Sequence, residues 1–97
     1  MWTVDLAKIE KWLHERTKEQ KTAIARRLLL LQKLGPDLGM PNVKALGNGL
    51  YELREMSFRY RLYFYFDREN NKIIIVVAAG EKDTQERDIR KAKEAIK

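Results

Sequence analysis

The stretch GNGLYELREMSFRYRLYFYF (residues 47–66) decides the fold of this chain. Tyr51 and Leu53 alternate with Glu52 and Arg54. Phe58, Tyr60, Leu62, Phe64 and Phe66 alternate with Arg59, Arg61, Tyr63 and Tyr65. Period-two alternation of this length predicts two β-strands. A turn is expected at Met56 and Ser57, with Arg54 set opposite Arg61, Leu53 opposite Leu62 and Tyr51 opposite Phe64. One sheet face is then apolar. The other carries Glu52, Arg54, Arg61 and Tyr63, with Arg59 near its edge. Like charges placed opposite each other cost about 0.2–1 kcal/mol, so the arginine pair points to an anion that bridges it. Phosphate fits, because a guanidinium binds it bidentately and neighbouring aromatic rings suit RNA. The competing reading is an ordinary exposed face whose arginines are neutralised by Glu52 and Glu55. A register slip of one residue would turn both arginines into the core.

Outward from this hairpin the pattern continues on both sides. Asp67 to Asn71 predicts a loop, and the β-branched run Ile73 to Ala79 predicts a central strand buried on both faces. Gly80 ends it, and Asp83 through Glu86 has the form of a helix start. The final helix carries Ile89, Ala92 and Ile96 on one side. On the N-terminal side, residues 35–49 are rich in Gly and Pro and predict a loop. Before it, Thr17 and Gln20 form a capping box, Ile24, Leu28 and Leu31 a helical stripe, and Gly35-Pro36 a stop. Leu6, Ile9 and Leu13 predict a shorter helix, and Trp2 to Val4 a short strand. The expected order is β-α-α-β-β-β-α. The class is α+β, with an N-terminal helical hairpin packed on a curved antiparallel sheet and a C-terminal helix, in one domain over residues 1–97.

Bulk properties narrow the partners. Twenty Lys and Arg against fourteen Asp and Glu give a net charge of +6, which favours an anionic partner. The chain has no cysteine and one histidine, so no metal site and no cofactor is expected. His14 reads as a surface residue. The charged N-terminus does not resemble a secretory signal, and no apolar run reaches the ~20 residues of a membrane span. A cytoplasmic protein is expected. Lys82, at a strand-to-helix corner, and Lys44, on the long loop, are candidates to reach over the arginine face.

The segments LGNGLYELR (46–54), YRLYFYF (60–66) and AAGEKDTQERDIRKAKE (78–94) resemble the RelE/ParE superfamily of type II toxin–antitoxin toxins, specifically the HigB-like branch of addiction-module killer proteins. The resemblance implies the α+β architecture derived above and a ribosome-dependent endoribonuclease that cuts mRNA. It places Arg54 and Arg61 on the scissile phosphate and Lys82 beside the cleaved bond. Lys44 matches a recurring lysine, and Gln85 belongs to the TQ signature. Charge stabilisation is assigned to the arginines and proton transfer to Lys82 or Lys44, with Arg59, Tyr63 and Gln85 as RNA contacts. Two features depart from the RelE pattern: Leu50 and Glu52 stand in place of strand lysines, and residues 84–97 contain no tyrosine. The implied partners are the ribosome, mRNA and a small DNA-binding antitoxin encoded alongside, giving a toxin–antitoxin hetero-oligomer. Other readings on the same fold are a ParE-type gyrase inhibitor and a non-catalytic relative that binds RNA or antitoxin.

Overall fold

The structure, a computed structural model, describes residues 1–80 and 85–96. Strand β1 (Thr3–Asp5) leads through a short 3-10 turn (Ala7–Ile9) into α1 (Glu10–His14). Helix α2 (Lys18–Leu34) follows, then β2 (Val43–Gly47), β3 (Leu50–Glu55), β4 (Tyr60–Asp67), β5 (Lys72–Ala79) and α3 (Gln85–Ala95). The sheet order is β1-β5-β4-β3-β2. The α+β class and the succession of helices match the expectation. Two details differ. Val43–Gly47 is a fifth strand inside the stretch that reads as loop, and β1 runs parallel to β5, so the sheet is mixed.

Local chemistry sets the helix ends. The Gln20 amide donates to Thr17 Oγ1 at 3.2 Å, and the Thr17 amide donates to Gln20 Oε1 at 2.8 Å, a complete capping box. Gly35 ends α2 with φ of 52°. A β-carbon there would lie 2.3 Å from the Trp2 indole nitrogen, so conformation and space both demand glycine.

The two sheet faces bury separate cores. Leu53, Leu62, Phe64, Ile73 and Ile75 pack with Ile24 and Leu31 of α2. On the other face, Leu50, Tyr63, Val76 and Val77 pack with Ala92, Ile89 and Ile96, the stripe predicted for the last helix. Strand β5 serves both cores by alternation, and a bulge (Tyr63 pairs with Val77 but Phe64 with Ile75, leaving Val76 extra) turns Val77 and Ala79 to the same side as Val76. No helix among the described residues is long and apolar enough to cross a membrane.

Candidate anion-binding site at the end of the sheet

The register of β3 and β4 is the predicted one. Arg54 faces Arg61, Leu53 faces Leu62 and Tyr51 faces Phe64. The turn sits one residue later than expected: Glu55 pairs with Tyr60, so Met56–Arg59 form the connection and Phe58 lies in the turn rather than the strand. Glu55 holds this turn. The residue is 3% exposed, and its carboxylate accepts from the amides of Ser57 at 2.7 Å and Phe58 at 2.8 Å. Arg59 follows with φ of 62°. Sequence reasoning misses this anchor, although an acidic residue just before a turn is the signal that marks one.

The arginine pair already has an internal counter-ion. Glu52 Oε1 lies 3.0 Å from Arg61 Nε and 3.7 Å from Arg54 Nε. Glu52 is wholly buried, and neither of its oxygens has a hydrogen-bond partner among the described residues. The contact is therefore an ion pair held by charge rather than alignment. Both arginines approach Glu52 through Nε, and their side chains remain 29% and 17% exposed. Both also line the cleft described next, so their guanidinium groups are within reach of an external anion.

A cleft of about 500 Å³ gathers these groups with Lys44, Arg59, Tyr60 and Gln85. Lys44 enters from edge strand β2, opposite Glu52, and not from a loop. Asn42 fixes its approach: the Asn42 carbonyl accepts from the Arg54 amide at 2.8 Å, and its side-chain oxygen accepts from Arg27 of α2 at 3.0 Å. Gln85 is the first residue of α3. Among the described residues, four cations face two carboxylates, Glu52 and Glu55, which leaves the cleft net positive. Lys82 lies outside the described residues. His14 is exposed and does not line this cleft.

Tyr63 requires a correction. The sequence predicts an open ring for stacking, but α3 covers this part of the face and leaves Tyr63 0% exposed. Its hydroxyl has no hydrogen-bond partner among the described residues. Burial, and next the Glu52 carboxylate, push its phenol from 10.0 to about 12, against the opposing pull of Arg61. Between about pH 10 and 12 the folded chain keeps a proton that the unfolded chain has released, so stability falls as pH rises through that window. Tyr63→Phe is expected to lose this alkaline limb. At neutral pH it should match or exceed the wild type by up to about 1 kcal/mol, since an orphaned buried hydroxyl is removed. Urea denaturation of both proteins from pH 7 to 12 checks it.

Glu52→Gln tests the counter-ion. The amide keeps the shape and removes the competing charge, so pyrophosphate should bind about tenfold more tightly, as one charge at close range allows. Unchanged or weaker binding by calorimetry would show that Glu52 does not compete with external anions.

The arrangement belongs to a class: a basic cleft at the open end of a sheet whose lower part is sealed by a C-terminal helix. Residues 11–97 match the family described as phage derived protein Gp49-like (DUF891), and the chain belongs to that family. The crystal structure of the isolated Escherichia coli RelE toxin has the same fold, with a TM-score of 0.64 over 93% of this chain and 96% of that one, at 15% identity. An uncharacterized protein of Haemophilus influenzae is 34% identical over 53 residues. The match covers 54% of this chain and 52% of that protein, so the chain spans about half the length of that curated relative.

Proposed function

We propose that this protein is the toxin of a toxin–antitoxin module and an endoribonuclease that cleaves mRNA on the ribosome. The observation that carries the reading is the cleft in which Lys44, Arg54, Arg59 and Arg61 converge. RNA cleavage by the neighbouring 2′-hydroxyl needs a base to take that hydroxyl's proton while its oxygen attacks the adjacent phosphorus in line. Negative charge then grows on the non-bridging oxygens, and the 5′-oxygen leaves with a proton. Arg54 and Arg61, opposite each other across two strands, present their guanidinium groups to those oxygens. Their spacing is set by sheet geometry rather than by flexible loops. Lys44 supplies a further charge and a mobile proton donor from the β2 edge, and Arg59 draws the RNA backbone in from the turn.

Membership of the Gp49-like family and the RelE fold support a toxin and, with it, a neutralising antitoxin as partner. The test is a translating extract programmed with a defined mRNA. Mapped cuts that depend on added ribosomes support the reading. Intact mRNA together with inhibited DNA supercoiling would replace it with gyrase poisoning.

A further inference from the structure

A second cleft, of about 620 Å³, opens on the far side of Tyr60. Tyr60 lines both clefts, so the two share a wall. The second is built from aromatic rings and guanidinium groups. Phe58, 39% exposed, lies parallel to Tyr60 with ring centroids 5.9 Å apart and planes 21° apart. Trp12 meets Tyr60 edge-on at 5.1 Å. Arg16 lies 4.5 Å over the Trp12 ring and donates from Nε to the Trp12 carbonyl at 3.0 Å. Arg87 of α3 faces the same cleft, as does Asp88, leaving one net positive charge among the described residues.

Each part is held in place before anything binds. The Glu55 carboxylate fixes the amide of Phe58, Tyr60 supports its ring from behind, and the Trp12 carbonyl and ring orient Arg16. A pre-positioned ring with one open face beside two guanidinium groups is the combination that single-stranded nucleic acid uses: a base stacks on the ring and its phosphate meets the cations. Exposure of a phenylalanine on a tight turn has no use in either core, since Phe58 belongs to neither.

We propose that this second cleft is a nucleobase subsite. The nucleotide adjoining the phosphate held at Arg54 and Arg61 stacks its base on Phe58 and sets its own phosphate against Arg16 and Arg87. The inference rests on the RNA reading and adds to it where the neighbouring base goes.

A 2′-O-methyl trinucleotide, which lacks the attacking hydroxyl, serves as the probe, with companions that lack one base at each position in turn. Binding is read by fluorescence anisotropy, and folding by circular dichroism. Phe58→Ala should weaken binding of the intact RNA about 5- to 150-fold, the usual size of one base-stacking contact. Phe58→Trp should restore it. One of the abasic probes should bind wild type as weakly as intact RNA binds Phe58→Ala, and lose nothing further in that variant. If Phe58→Ala binds intact RNA like wild type while Arg54→Ala binds it weakly, the subsite is overturned and the RNA reading stands. The subsite is overturned in the same way if Phe58→Ala loses as much affinity for every abasic probe as for intact RNA. If neither substitution changes binding, the RNA reading fails and the subsite with it.

Discussion

Arg61→Ala is expected to reduce mRNA cleavage by about 10²–10³-fold, the size seen when one preorganised donor to a developing oxyanion is removed. It should also cost about 3 kcal/mol of stability. Glu52 is 0% exposed and its shortest charge contact is the 3.0 Å approach of Arg61 Nε. Without Arg61, Arg54 alone remains among the described residues, at 3.7 Å, and breaking a buried pair by deleting one partner leaves a nearly uncompensated charge. The two losses have separate causes and should separate experimentally. Adding Glu52→Gln to Arg61→Ala removes the orphaned charge, so most of the stability should return while cleavage stays low. Cleavage in a translating extract and urea denaturation of the single and double variants provide the measurement. Wild-type cleavage by folded Arg61→Ala would remove Arg61 from the reaction. A double variant no more stable than Arg61→Ala would show that the ion pair is not what the single substitution breaks.

The arginine face is legible in the sequence because the alternation of Tyr51 and Leu53 against Leu62, Phe64 and Phe66 fixes which side chains share a face, and the short Met56–Arg59 connection then selects the pairing. That pairing carries Arg54 and Arg61 along. Lys44 stands out as a basic residue, but its strand does not. Val43–Gly47 lies in a stretch crowded with turn residues and pairs on one side only, so local signals there favour a loop. The burial of Tyr63 is illegible for a different reason. Ile89, Ala92 and Ile96 mark an apolar helical stripe, yet periodicity does not say which surface such a stripe covers. It covers the lower half of the arginine face, which splits that face into a sealed core around Tyr63 and an open cleft around Arg54 and Arg61. The bulge at Val76 is hidden within a continuous apolar run that has no alternation to break. Glu52 reads from the sequence as a neutralising charge on an exposed face. It does neutralise the arginines, from a fully buried position.

Phe64→Ala should destabilise the fold strongly without touching the cleft. Phe64 is 0% exposed and sits in β4, the middle strand of the sheet. Its ring stacks on Tyr51 at 5.6 Å and meets Phe66 edge-on at 5.4 Å, and its neighbours include Ile24 and Leu31 of α2. Truncating a buried phenylalanine costs about 3–5 kcal/mol in lost transfer energy and cavity formation. A domain of this size holds about 5–15 kcal/mol in all, so the variant should denature at a markedly lower urea concentration. Leu29→Ala on α2 is the control: Leu29 is 54% exposed, and its loss should change stability by less than about 0.5 kcal/mol. The two kinds of inactive protein then respond differently to a stabilising osmolyte, which favours the compact state without supplying missing chemistry. At a temperature that partly unfolds Phe64→Ala, its cleavage should recover as the osmolyte raises the folded fraction. Cleavage by Arg61→Ala should not, because what it lacks is the cation facing the phosphate rather than the core behind it.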